Sequence, residues 1–316
     1  MRKNAFVLAM LLLASTLLCA CGGEQNETPT TTEEPTVDMM QKIDPTGDGV
    51  VNILMIGNSF CRYFTDELFA IARAAGIEMR ICNVYAPGCE VNTHWAWWKN
   101  GESHYKLTTT DITGTRDIED CDLKFCLEQG DWDVISLQDG SPCVRKTSGE
   151  EAFNNNKTYI SDLIGYIRKE FPKANLYWQQ TWAYQVGYDD EGYKVADAEE
   201  QKGYAQRQYV YATSVCKEFN LYRINSGEAW QIVREKYGYD NLCARLDKNE
   251  GLGDYYHDGN IGGGQYLNAC VWFEVLTGQS CIGNTFRPTY ELSEEMIEML
   301  QKAAHEAVEN LNNAEA

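Results

Sequence analysis

The chain has 316 residues, 44% of them hydrophobic and 23% charged, which is enough length and apolar material for a full core and excludes a largely disordered protein. Asp and Glu number 47 against 27 Lys and Arg, for a formal net charge of −20. So acidic a surface argues against nucleic acid as a partner and against docking on anionic lipid through basic patches.

In chain order, the first feature is a positive start, Arg2 and Lys3, followed by the apolar run AFVLAMLLLASTLLCA from Ala5 to Ala20. That run falls short of the roughly 20 residues a spanning helix needs. It reads as a secretion signal. Leu18-Cys19-Ala20-Cys21 resembles a bacterial lipobox, which implies cleavage before Cys21 and a lipid on that thiol. The plainer alternative is ordinary secretion with cleavage near Ala20. Residues 1–20 are therefore expected to be a lipoprotein signal peptide, with the mature chain anchored on the extracytoplasmic side of the membrane. Residues 21–48, rich in Thr, Glu and Pro, cannot offset their ordering entropy by burial and read as a flexible tether. Asp44-Pro45-Thr46-Gly47-Asp48-Gly49 imitates the start of an EF-hand loop. Its twelfth position is Met55 rather than Glu, so it reads as a turn and not as a calcium site.

Residues 49–316 alternate strand and helix signals. Val50–Ile56 is a continuous apolar run of strand length, and Phe64–Gly76 carries apolar residues at helical spacing. Glu78–Tyr85, Trp132–Leu137, Ala174–Gln179 and Leu221–Ile224 are the further strands. Asp122–Gln129, Ala152–Phe171, Ala198–Phe219, Gly264–Thr277 and Ser293–Asn310 are the further helices. Five buried-type strands alternating with helices predict one α/β domain, a five-stranded parallel sheet covered on both faces as a three-layer α/β/α sandwich. In such sheets ligands bind beyond the carboxyl ends of the strands.

The residues at those ends carry the functional signal. Gly57-Asn58-Ser59-Phe60 follows the first strand and precedes a helix, a position suited to a nucleophile and equally to a helix cap. It is neither the G-x-S-x-G elbow nor a P-loop. Gly88 follows the second strand in NVYAPGCEVNTHW, and Gln138 follows the third in SLQDGS. Asp254-Tyr255-Tyr256-His257 lies in a Gly-rich segment before the penultimate helix. His257 is the one histidine of four with an Asp three residues before it. His94 and His104 lie after the second strand without an Asp three residues before them, and His305 sits on the polar-rich last helix. Asp258 rivals Asp254 as the acid that orients it.

ILMIGNSF, the glycine after strand two and the D-x-x-H near the end resemble the four ordered blocks of the SGNH (GDSL-type) hydrolases. The departure is Gln138, where that superfamily has Asn; the side chain is longer by one carbon–carbon bond, ~1.5 Å. The resemblance implies a flavodoxin-like SGNH hydrolase fold over roughly Val50 to Thr289 and a Ser59–His257–Asp254 triad. It further implies an oxyanion hole of Ser59, Gly88 and Gln138, with no cofactor and no metal. The expected substrate is a small-molecule or polysaccharide ester. Trp95, Trp97 and Trp98 after strand two, and Trp182 and Tyr184 after strand four, are expected to stack on sugar rings, which makes O-acetyl groups on carbohydrate the expected target. Two rival readings remain. One is a non-catalytic glycan-binding lipoprotein on the same fold. The other is a thiol enzyme using Cys61. Cys121 and Cys126 lack a partner pair and a nearby His, so no structural zinc site is expected.

Overall fold

The computed structural model of the protein describes residues 43–44, 47–190, 193–240, 242, 244–245, 253–254, 263–289 and 292–315. The expected signal peptide, Cys21, most of the expected tether, His257 and Asp258 lie outside the described residues. The strands of the main sheet are β1 (Val51–Gly57), β2 (Met79–Tyr85), β3 (Tyr105–Asp111), β4 (Gly114–Cys121), β5 (Val134–Gln138), β6 (Asn175–Gln179) and β7 (Tyr222–Ile224). Their order in space is β4-β3-β2-β1-β5-β6-β7.

The sheet thus has seven strands, not five, and it is mixed. All five apolar runs read from the sequence are present, and β2, β1, β5, β6 and β7 lie parallel in the order 2-1-3-4-5. The correction is the hairpin β3–β4, which pairs antiparallel to the outer side of β2. Nothing in KLTTTDITGTRDIEDC announces it as a buried run, because seven of the eight residues of β4 are exposed. Its strands are stitched by polar pairs instead: Thr108 donates to Asp117 at 2.6 Å, and Lys106 bridges Asp117 at 2.7 Å.

The helices are α1 (Ser59–Arg62), α2 (Thr65–Ala74), α3 (Val91–Asn100), α4 (Leu123–Leu127), α5 (Gly149–Glu170), α6 (Ala198–Phe219), α7 (Ser226–Tyr237), α8 (Gly264–Thr277) and α9 (Glu294–Glu315). β1 shows why they divide into two layers. Val51, Ile53 and Met55 face one core with residues of α2, α7, α8 and α9, while Leu54 and Ile56 face a second core with residues of α3, α4, α5 and α6. α8 is apolar all round and almost wholly buried, as a helix enclosed by its neighbours must be. The long helices begin at polar caps: Ser148 accepts from the Glu151 amide and Asp197 from the Glu200 amide. Folded structure reaches back past position 49, since Ile43 is buried in the first core and the Asp44 carboxylate accepts from the Gly47 and Gly49 amides. Among the described residues no helix is long and apolar enough to cross a membrane. All nine described cysteines are free thiols.

Candidate functional site

The order 2-1-3-4-5 places the switch point of the sheet between β1 and β5, where the connections leave in opposite directions and open a crevice beyond the strand ends. Ser59 stands there, half-buried, directly after β1. Its turn is locked by its neighbour. The Asn58 side chain is 2% exposed, and its Oδ1 accepts from the Phe60 amide at 3.0 Å and from Gln138 Nε2 at 2.7 Å. Asn58 Nδ2 donates to the Cys89 carbonyl at 2.8 Å. One side chain therefore ties together the ends of β1 and β5 and the loop after β2. This close approach requires Gly57, because a Cβ there would lie 2.5 Å from Gln138 Cγ and 2.9 Å from Cys61 Sγ.

Gly88 is exposed in that loop with φ of 63°, a left-handed conformation that suits glycine. Among the described residues the Ser59 and Gly88 amides donate to no backbone carbonyl outside the regular elements. The Gln138 side chain is 2% exposed and lies beneath the turn, with one of its two amide N–H groups spent on Asn58. The extra length relative to Asn is what lets it reach the cap.

Asp139, the next residue, is a second buried joint. Oδ1 accepts from the Val91 amide at the start of α3 and from the Gly140 amide, while Oδ2 accepts from Tyr211 Oη at 2.8 Å and Asn156 Nδ2 at 3.2 Å. Burial, reinforced by the nearby Glu90 charge, pushes its carboxyl up to about 7. Burial also pushes the Glu90 carboxyl up, against the pull of Arg145. The Arg145 guanidinium lies over Tyr184 and Tyr188 and donates to Tyr188 Oη at 2.6 Å. Asn58 and Asp139 went unread in the sequence, although both carry a local signal: Asn before a helix start is a preferred cap, and Asp-Gly after a strand marks a turn.

The five expected sugar-binding rings all have protein partners. Trp182 is corrected outright: it is 1% exposed and stacked on Trp230 with ring centroids 4.3 Å apart, so neither face can receive a sugar. Trp95, Trp97 and Trp98 stand on a helix, α3, not in a loop. Trp95 packs on Tyr159 and donates to Asp162, Trp97 packs on His104, and Trp98 packs on Tyr166 beneath Lys99. All three keep partial exposure. Tyr184 stacks on Tyr188 at 4.1 Å and lies 6.2 Å from the Phe60 ring.

Other candidates fall away on burial. Cys61 is buried, with its thiol pushed up to about 12 by desolvation, which keeps it protonated and removes the thiol-enzyme reading. His94 is buried against Tyr105 and held down to about 3 by desolvation. His305 is not simply solvated: its Nδ1 lies 2.9 Å from the buried Glu274 carboxylate. Asp254 is described only in its backbone, which pairs with Ala244 in a two-stranded ladder. Among the described residues no three or more His, Cys, Asp or Glu side chains are grouped to hold a metal ion.

Comparison with known proteins adds the following. A family described as "Domain of unknown function (DUF4886)" matches residues 52–307. A crystal structure of a DUF4886 family protein from Bacteroides uniformis is 25% identical, with a TM-score of 0.70, covering 82% of this chain and 95% of that one. A member of the lipolytic G-D-S-L family from Veillonella parvula is 14% identical with a TM-score of 0.40, covering 72% of this chain and 100% of that one. An acetyl xylan esterase is 11% identical with a TM-score of 0.41, covering 70% and 98%. Likeness at those last two scores says nothing about the chemistry of this chain. No curated protein matches significantly. With 256 consecutive positions matched from the first strand to the last helix, the chain belongs to the DUF4886 family.

Proposed function

We propose that this protein is an SGNH-type serine hydrolase that cleaves carboxylic esters, with O-acetyl groups on carbohydrate as its target. The observation that supports this most is Ser59 itself: a half-buried residue at the sheet's switch point, on a turn clamped by Asn58, with its own amide and that of Gly88 uncommitted among the described residues. In this reading Ser59 Oγ attacks the ester carbonyl as His257 takes its proton. The two free amides receive the oxyanion. Collapse expels the alcohol, which takes the proton from His257 and leaves an acyl group on Ser59. Water then repeats the sequence and releases the acid. Asp254 orients the imidazole. The roles of His257 and Asp254 rest on the D-x-x-H spacing alone. The carbohydrate part rests on the partly exposed rings of Trp95, Trp97, Trp98 and Tyr184. Export and lipidation at Cys21 belong to the same proposal and rest on the lipobox; replacing Cys21 with Ala is expected to abolish incorporation of labelled fatty acid.

The test is a screen of acetylated sugars and short-chain esters with the full chain, alongside labelling by a fluorophosphonate. Wild type is expected to label at Ser59 and hydrolyse, and Ser59→Ala to lose on the order of 10⁶ in turnover. A wild-type chain that neither labels nor hydrolyses any of these esters overturns the reading and leaves a glycan-binding role to be measured.

A further inference from the structure

α1 has only four residues, too few for its own hydrogen bonds to hold its shape. Its last carbonyl, that of Arg62, accepts from Thr65 Oγ1; for those of Phe60 and Cys61 the donors come from elsewhere. The sheet beneath supplies the donors. Asn83 of β2 donates from Nδ2 to the Cys61 carbonyl at 3.1 Å and lies 3.2 Å from Cys61 Sγ. Gln179 of β6 donates from Nε2 to the Phe60 carbonyl at 3.3 Å. Gln138 of β5, the register partner of Gln179, donates to Asn58 from the same face. Three strands thus each send one buried amide upward to the turn that carries Ser59.

All three amides share a second property. Asn83 Oδ1, Gln138 Oε1 and Gln179 Oε1 are buried and accept no hydrogen bond among the described residues. A buried acceptor without a partner costs stability, so a sequence selected for stability alone would place an apolar side chain there. We infer that Asn83 and Gln179 are positioning residues for Ser59: their N–H groups fix the Asn58–Arg62 backbone at the expense of orphaned oxygens below it. The inference deepens the hydrolase reading and rests on it for its catalytic consequence.

The experiment compares wild type with Gln179→Met and, as an independent probe of the same cradle, Asn83→Leu. Each is read by melting temperature, by hydrogen–deuterium exchange of the peptide containing residues 58–62, by the fluorophosphonate labelling rate at Ser59, and by kcat and KM on 4-nitrophenyl acetate. Melting is expected to change by no more than about 3 °C, because loss of the donor is offset by removal of the orphaned oxygen. Exchange in the 58–62 peptide is expected to rise. Labelling and kcat are expected to fall roughly 10- to 100-fold through misplacement of the nucleophile, with KM within about twofold. Exchange unchanged in both variants, labelling at the wild-type rate, or failure of both variants to fold overturns the inference. A wild-type chain that does not label overturns the hydrolase reading instead, and the exchange arm still decides whether the amides hold the turn.

Discussion

The two segments that border the Ser59 crevice are held in different ways. The turn after β1 is held by polar groups: Asn58 caps it, Gln138 secures the cap, and the cap reaches across to the Cys89 carbonyl. α3, on the other side, is held by two hydrogen bonds, from the Val91 amide to Asp139 and from Trp95 to Asp162, and along the rest of its length by rings, with Trp95 and Trp98 seated on Tyr159 and Tyr166 of α5. Aromatic packing tolerates small shifts, because dispersion and area burial are non-directional. A net of short hydrogen bonds does not, because its energy falls steeply with geometry. The difference teaches where positional accuracy is concentrated: at the serine, not at the tryptophans.

Four substitutions can break or sharpen that contrast. The largest effect is expected from Gly57→Ala, whose new methyl must displace Gln138 from beneath the cap. Overpacking of this kind costs ~1–3 kcal/mol of stability, and Ser59 labelling should fall about 100-fold through misplacement. Labelling at the wild-type rate would mean that the turn is not tightly held. Next comes Gln138→Leu, which removes the donor to Asn58 and leaves its shape approximately filled. A loss of kcat of about tenfold with KM unchanged is expected for one displaced positioning contact; a loss on the order of 10²–10³ would return Gln138 to the crevice as a donor to the oxyanion.

Trp98→Ala probes the other side. Loss of its contact with Tyr166 should lower stability by ~1–3 kcal/mol, less than a fully buried ring would. Turnover of a small ester should stay within about twofold, and a collapse of kcat with unchanged melting would erase the distinction between the two segments. Last comes Asp139, the joint between them, whose effect is read in the pH dependence of stability and not in turnover. Its folded-state carboxyl is raised to about 7 from an ordinary value near 3.8. Between those values the folded chain holds a proton that the unfolded chain has released, so stability from this group falls as pH rises from about 4 to 7. Melting measured at pH 5 and pH 8 should show a larger loss in wild type than in Asp139→Asn, by on the order of 2 kcal/mol. Equal losses would mean that Asp139 is ionised throughout.

The five parallel strands were legible because each is an apolar run of strand length bounded by turn residues. The hairpin β3–β4 was not, since an exposed Thr- and Asp-rich strand has no such run, and α3 and α7 were missed between clearer signals. Ser59 stood at a strand end where a helix cap fitted equally well, and it and Gly88 were singled out by the ordered resemblance of the blocks. Gln138 was singled out too, but as a donor in the crevice, because a linear sequence does not tell which way an amide at a strand end will turn. Asn83 and Gln179 carried no signal at all: an amide near the end of a strand looks the same whether it meets water or a buried carbonyl. Trp182 failed for the converse reason. Its position after a strand suggested a rim, and only packing against Trp230 reveals it as interior.

The outermost strand, β4, has a bearing on the solubility of the chain. A sheet that ends on a long unpaired edge invites a second molecule to continue it. Here that edge carries Asp117, Glu119 and Asp120 beside the single Arg116, so a copy adding itself alongside would bring one net-negative row against another. Charge of this kind disfavours continuation of the sheet from one molecule to the next through that edge.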